Sequence, residues 1–365
     1  MKHVLRVFLP LAAIIVFVNL YFAHPDGIQP IDNYPIWMKD SAGMQTSQTS
    51  GLSYVGMKDG KKIFISCDDL GKINRLDVDE SRIPPSITIT EISFSEKVRE
   101  LFAKFKKTDM EEILYDRPNN KILLSIEGHE YSSNDPQIYR KKEGIYEITF
   151  NKDILTFDSI NTIRRLDFPK ELYTYTFDNI GFEGFAATEN YFFIGLENYQ
   201  AKVPNTDRTE FTDSTVLYIY NRKTNEIKSM GTGELKITSI CGLYASDDHN
   251  LYGIDRNRRS MFYIKFKDDF TVDKVESEEM DLSIPGHKEI NKIIGMAPES
   301  ITFDDAMNIY VTIDPWQDFY KPDIAEKKKL SNEELKNFYE GVPVMYKFAN
   351  VFDIGPENHS KNFSK

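Results

Sequence analysis

The chain has 365 residues, 41% hydrophobic and 28% charged, with 20 Tyr and 25 Phe against only 2 Trp, which excludes a disordered chain, a collagen-like fibre and a multi-span membrane protein. Lys and Arg total 45 against 57 Asp and Glu, a formal net charge of -12. A diffuse acidic surface repels nucleic acid phosphate and anionic lipid, so nucleic acid is not expected as a partner.

The first predicted element is the segment 1–25. Lys2 and Arg6 stand before an apolar run from Val7 to Val18 and on to Ala23. A basic start ahead of an apolar run marks a membrane-targeting segment with its positive end held in the cytoplasm. Val4 to Ala23 is 20 residues, enough to span once. A cut after Ala23 would place bulky Tyr21 where small residues are needed. An uncleaved anchor is therefore favoured over a removed signal segment. In either case the chain beyond about Pro25 is expected outside the cytoplasm, periplasmic or extracellular, touching membrane through this segment only. Residues 26–50 read as a linker with a ring-closing strand, 51–349 as a repeat domain and 350–365 as a tail.

The repeat comes from five apolar runs that end in a carboxylate: IFISCD (Ile63–Asp68), ILLSIE (Ile122–Glu127), FFIGLE (Phe192–Glu197), NLYGID (Asn250–Asp255) and IYVTID (Ile309–Asp314). Their carboxylates are 59, 70, 58 and 59 residues apart. Before each lies another strand-like run: SGLSYV (Ser50–Val55), MEEILY (Met110–Tyr115), FEGFAA (Phe182–Ala187), CGLYAS (Cys241–Ser246) and PESITF (Pro298–Phe303). Turn residues of the Asp/Asn/Gly kind separate the two runs. Third strands follow at KINRLDV, GIYEITF, TVLYIY, MFYIKF and VMYKF, and less regular fourth strands at SITITEISF, TIRRLDF and KITSI. Three or four antiparallel strands repeated radially describe an all-β, five-bladed β-propeller, with six blades the lesser alternative. Residues around 31–49 are expected to supply the outer strand of the last blade and so remove an exposed edge. Helices are expected to be minor, the best candidates being Ser95–Lys107 and the segment after Ser331, where Ser331 and Glu334 form a capping box.

SGLSYVGMKDGKKIFISCDD, MEEILYD…ILLSIE, GFEGFAATENYFFIGLEN, ICGLYASDDHNLYGIDRN and APESITFDDAMNIYVTIDP, in this order, resemble the SdiA-regulated family. Those are extracytoplasmic, membrane-anchored propellers distantly related to NHL repeats and to the phytase-like esterase family. The resemblance covers nearly the whole exported region and implies a five-bladed propeller with a calcium site, but no settled activity. The chain departs from the pattern where MEEI replaces Asp-x-Glu-Gly and where Cys241 replaces Ser.

In a propeller blade the start of the first strand and the end of the second meet at one mouth of the channel. Glu112, Glu183 and Glu299 open first strands, and Asp68, Glu127, Glu197, Asp255 and Asp314 end second strands. Eight converging carboxylates repel unless cations compensate, and calcium takes six to eight oxygens, so these are the candidate metal ligands. The competing reading is that several acids cap turns within their own blades. Arg256 and Arg258 follow Asp255 on the same face, and Trp316 and Tyr320 lie in the loop after Asp314, which makes the four weaker ligand-binding candidates. No GxSxG, HExxH, P-loop or GxGxxG motif is present. Cys67 and Cys241, in separate units, read as small buried hydrophobes. The function expected is a calcium-dependent module binding an unidentified ligand or protein at the acidic face. The alternative is a calcium-dependent phosphoester or ester hydrolase of phytase-like type.

Overall fold

The computed structural model describes residues 27–128, 142–150, 153–176, 180–198, 200–202, 209–211, 213–287, 296–315 and 323–352. A short strand, β1 (Ile36–Trp37), precedes five blades. Blade 1 is β2 (Thr49–Lys58), β3 (Lys61–Asp68), β4 (Ile73–Asp79) and β5 (Ser86–Glu91). After β6 (Ser93–Phe94) and helix α1 (Glu96–Phe102), blade 2 is β7 (Asp109–Asp116), β8 (Lys121–Glu127), β9 (Gly144–Phe150) and β10 (Ser159–Arg165), with β6 added in parallel to β10. Blade 3 is β11 (Phe182–Ala187) and β12 (Tyr191–Leu196), then, after a hairpin of β13 (Gln200–Lys202) and β14 (Thr209–Phe211), β15 (Val216–Asn221) and β16 (Ile227–Gly231). Blade 4 is β17 (Gly242–Ala245), β18 (Asn250–Asp255), β19 (Ser260–Phe266) and β20 (Val272–Glu279). Blade 5 is β21 (Met296–Phe303) and β22 (Ile309–Pro315), helices α2 (Ile324–Lys327) and α3 (Asn332–Tyr339), and β23 (Val344–Phe348).

The chain is a five-bladed β-propeller. Inner strands pack in a ring, β2 on β7, β7 on β11, β11 on β17, β17 on β21 and β21 on β2. β1 closes it by pairing with β23, Ile36 opposite Met345 and Trp37 opposite Val344. The blade edge that would otherwise stand open is covered by the chain's own N-terminal strand.

Period-two alternation within each strand turns successive side chains to opposite faces, so each blade packs on both neighbours. In β3, Ile63, Ile65 and Cys67 face blade 2 whereas Phe64 faces blade 5. Five apolar clusters result, one in each gap between neighbouring blades. Each buried Phe or Ile there contributes about 1.5–3 kcal/mol relative to exposure. The inner strands approach so closely that a Cβ on Gly51 would lie 2.5 Å from the Ile113 nitrogen, which explains the small residue in SGL.

Two expectations need correction. Lys236–Ile240 (KITSI) is not a strand. The fourth strand of blade 3 is β16, and Ile237 and Ile240 instead bury themselves between blades 3 and 4 as a connector. The helix expected over Ser95–Lys107 starts as foreseen, with Ser95 accepting from the Val98 N–H, but ends at Phe102. Tight turns at Lys104 and Phe105 follow, and Phe105 packs edge-on against Phe102 and Tyr146, so that Lys107 turns back toward the channel. The capping box of Ser331 and Glu334 on α3 is present. Among the described residues no helix is long and apolar enough to cross a membrane, and the segment 1–25 lies outside them.

Candidate functional site

At the start of the inner strand the pairing register slips by one residue in four blades, between Thr49 and Gly51, Met110 and Glu112, Phe182 and Gly184, and Pro298 and Ser300. The slipped residues are therefore Ser50, Glu111, Glu183 and Glu299. A bulge re-aims the side chain of its extra residue. Here it gathers acids at the channel mouth where the second strands end.

The register shows that Glu111, not Glu112, is the counterpart of Glu183 and Glu299. Glu112 lies deeper, 2% exposed, and accepts from the Ile113 N–H at 3.0 Å. Burial pushes its carboxyl well above the ordinary range, and backbone N–H groups of Ile113, Leu52 and Leu243, from three blades, pull the other way. It stands in the channel rather than on its rim.

Two connected acid groups form the rim. In the first, Arg256 reaches Glu197 at 2.8 Å, Glu299 at 3.1 Å and Glu183 at 3.7 Å, joining blades 3, 4 and 5. The Cys241 thiol stands beside Glu183 and Glu197, and burial pushes it up, so it is a protonated and weak donor. In the second, Asp69, Asp109 and Glu111 bring carboxylate oxygens within 4.8 Å of one another. Lys107 sits 2.6 Å from Asp109 and 3.7 Å from Asp69, and the Ser50 hydroxyl donates to Asp69.

Burial lifts the Glu111 carboxyl well above its usual range, with Asp109, Asp69 and Glu127 adding to it and Lys107 opposing. Burial lifts Glu183 too, with Glu197 and Glu111 adding and Arg256 opposing. Because Glu111 acts on Glu183, the groups are one electrostatic unit. For Lys107 burial works against the charge, but Asp109 and Asp69 outweigh it and hold the ammonium above its ordinary value.

The remaining sequence candidates divide. Asp68 caps its own turn, accepting from Leu70 N–H at 3.0 Å and Lys72 N–H at 2.8 Å, and burial still raises it to about 7. Asp255 likewise accepts from Thr238 N–H at 2.7 Å and Arg258 N–H at 3.2 Å. Glu127 is buried beside Glu111 and Glu143. The Arg258 side chain is half exposed, 3.9 Å from Asp255. Asp314 belongs to β22 opposite Ala297, while its side chain, and all of Trp316 and Tyr320, lie outside the described residues.

Sequence reasoning missed Asp69, Asp109, Lys107 and Glu143. The Glu143 carboxylate is fully buried and accepts from Gly128 N–H at 2.8 Å and Phe182 N–H at 3.2 Å. Burial and Glu127 raise it to about 8. A Cβ on Gly181 would meet it at 2.4 Å, so that glycine is a sequence trace of the buried acid. Both cysteines are free and buried, as expected of small hydrophobes.

No protein-family model matches the chain, and no curated protein matches it in sequence. Among solved structures it is similar to β-propeller proteins. A luciferin-regenerating enzyme is 11% identical over 77% of this chain and 73% of that one, with a TM-score of 0.41. The PQQ-bound aldose sugar dehydrogenase of Streptomyces coelicolor is 8% identical over 88% and 99%, with a TM-score of 0.40. A streptogramin B lyase is 13% identical over 76% and 94%, with a TM-score of 0.32. The likeness is one of architecture and carries none of those proteins' site residues over to this chain.

Proposed function

We propose that the chain is a binding module that holds calcium at its acidic mouth and recruits a ligand or partner protein there. The observation that carries this reading is the convergence of Asp69, Asp109 and Glu111 within 4.8 Å. Their donors are all hard oxygens, the kind calcium takes, and they come from two blades fixed by a bulge and a turn. Lys107 contacts both Asp69 and Asp109 and sits on a flexible stem that can swing to solvent. The other half of the rim fits calcium less well, since Arg256 already bridges three carboxylates and Cys241 contributes sulfur. The hydrolase alternative wanted free basic groups for a phosphate ester. Arg256 is committed to carboxylates, so the binding reading is preferred.

The resemblance of the repeats to the SdiA-regulated family supports the same proposal, with Val4–Ala23 as a single anchor and the propeller outside the cytoplasm. Titration calorimetry of the full chain in detergent with calcium tests the binding. Wild type should bind, and Glu111→Gln and Asp109→Asn should weaken binding at least tenfold, each losing a charged ligand. Absence of calcium binding, or binding by both variants as tight as by wild type, would refute the site. The anchor is tested separately: the mature protein should sediment with membranes and still begin at Met1.

A further inference from the structure

Gly27, the first described residue, is fixed to the outer strand of blade 4. A Cβ on it would lie 2.8 Å from the Glu279 carbonyl oxygen, so its backbone is pressed against the end of β20. Ile28 bridges Met280 in parallel, donating to the Glu279 carbonyl at 2.7 Å and accepting from the Asp281 N–H at 2.9 Å. The strand register locates this point. Asp255 pairs with Ser260 and Ser260 with Glu279, so the end of β20 lies on the side of the acidic mouth. The Met280 N–H donates to the Arg259 carbonyl at 2.9 Å, which sets Gly27 and Ile28 beside the turn Arg256–Arg259.

His24, Pro25 and Asp26 alone separate this fixed point from Ala23, the end of the apolar run. A fully extended chain from Ala23 to Gly27 reaches at most about 14 Å. The headgroup layer of one leaflet takes up about 5–8 Å of that reach. With Val4–Ala23 as the proposed anchor, this corner of blade 4 is held at the membrane surface.

The groups at the corner suit phosphate. The Arg258 side chain is half exposed and 3.9 Å from Asp255, whose carboxylate already accepts from the Thr238 N–H and hydroxyl. Arg259 is partly exposed beside it, and Lys236, two residues before Thr238, is exposed. These three outnumber the exposed Glu234 and Glu279 of the same corner, in a chain whose net charge is -12. Farther along β20 the balance reverses, with Asp273, Glu276 and Glu278 against Lys274, which pairs with Glu276 at 2.7 Å. An anionic lipid surface attracts the first set and repels the second, which turns the mouth-side corner rather than the outer edge of the blade toward the bilayer.

We propose that the mouth-side corner of blade 4, at Arg258 and Arg259, docks on anionic phospholipid headgroups of the membrane that holds the anchor. The proposal rests on the anchor reading, adds a contact beyond the segment 1–25 and does not require calcium.

The test uses the full chain reconstituted in vesicles of phosphatidylcholine and phosphatidylglycerol, with a fluorophore on Asn257→Cys or on Asp268→Cys and spin-labelled lipid headgroups as the quencher. Cys67 and Cys241 are buried, and wild type taken through the same labelling measures their background. Asn257 and Asp268 are exposed just beyond opposite ends of β19, a strand of 7 residues and about 23 Å. Quenching at Asn257 should exceed that at Asp268 at least threefold. A long Gly-Ser linker inserted between Asp26 and Gly27 releases the short tether and leaves the arginines to hold the corner. In that background Arg258→Gln should lower the docked-to-free ratio about fivefold, the worth of one arginine at an anionic surface, and added salt or pure phosphatidylcholine should also lower it. A chain cut near His24, or one that stays in solution, would remove the anchor and the proposal together. With the chain in the membrane, quenching at Asp268 as strong as at Asn257, or Arg258→Gln docking like its parent, would overturn the proposal and leave the anchor standing.

Discussion

Two buried ionic networks in this propeller use the same residue types and behave in opposite ways. At the closure seam between blades 5 and 1, Lys62 meets Asp304 at 2.6 Å and Glu80 at 2.8 Å, while Lys347 meets Asp32 at 2.5 Å and Glu80 at 3.2 Å. Hydroxyls of Tyr310 and Tyr34 donate to Glu80 at 2.7 and 3.0 Å. Burial works against these carboxylates as well, yet Lys62 and Tyr310 hold Glu80 below its usual range, and Asn308 and Lys62 do the same for Asp304. At the acidic mouth burial wins, and Glu111, Glu183 and Glu143 are pushed up. The difference is the number of positive and donor groups per acid. A seam with its charges matched is a fastener. In a mouth with acids in surplus, the proposed calcium would supply the missing positive charge.

The largest effect that would sharpen this contrast is at the seam. Lys62→Met removes the ion pair with Asp304 and should lower unfolding stability by about 3–5 kcal/mol relative to wild type, by the same amount in calcium and in chelator. Urea denaturation with and without calcium measures both parts. Arg256→Gln at the mouth should cost about 3 kcal/mol in chelator at pH 8, the low end for breaking a buried pair, because Glu183 can take up a proton in compensation. Calcium should restore part of that loss. A seam deficit relative to wild type that shrinks in calcium, or a mouth deficit that does not, would erase the distinction.

The next effect is in pH. Groups raised in the folded state, such as Glu143 at about 8 and Asp68 at about 7, stay protonated when folded but ionise when unfolded between ordinary carboxylate values and their raised ones. The unfolded state then binds fewer protons, so the calcium-free protein should lose stability as pH rises from 5 to 8, by up to about 1.4 kcal/mol per pH unit per net proton. At the seam the sign reverses. Glu80 and Asp304 are lowered, so their contribution is intact above the ordinary carboxylate range and is lost as pH falls below it. Lys62→Met should flatten the acid limb of the stability profile and leave the limb between pH 5 and 8 in place. The smallest effect is a control: Glu278→Gln on β20 should stay within about 0.5 kcal/mol of wild type.

The blade count was legible because each second strand ends in an acid opposite the start of its first strand, a signal that recurs at nearly constant spacing. Ring closure was legible because the first unit has no strand left over for the last. The rim was legible only in part. In MEEI two adjacent glutamates compete for one position, and only the pairing of Met110 with Ile126 and of Glu112 with Ser125 decides that Glu111 is the bulged residue. Asp69 hides behind Asp68 in a turn, and Asp109 stands at the edge of its strand, where neither shows a period. Lys107 was read as the end of a helix that stops at Phe102. Arg256 was legible as a basic residue on the face of the acids, but that it pairs with three of them and joins three blades follows from tertiary placement, which sequence spacing does not carry.

The central claim, that the surplus of acid at the mouth is a cation site, is tested most directly by thermal melting of the full chain in calcium and in chelator, with Glu111→Gln beside wild type. Calcium bound only by the folded state stabilises it by mass action, by about 2.7 kcal/mol at a hundredfold excess over its dissociation constant. Wild type should therefore melt higher in calcium than in chelator, and Glu111→Gln should lose most of that difference. Equal melting of wild type in calcium and chelator would contradict the claim and leave the mouth a buried acidic face neutralised by protons, Arg256 and Lys107.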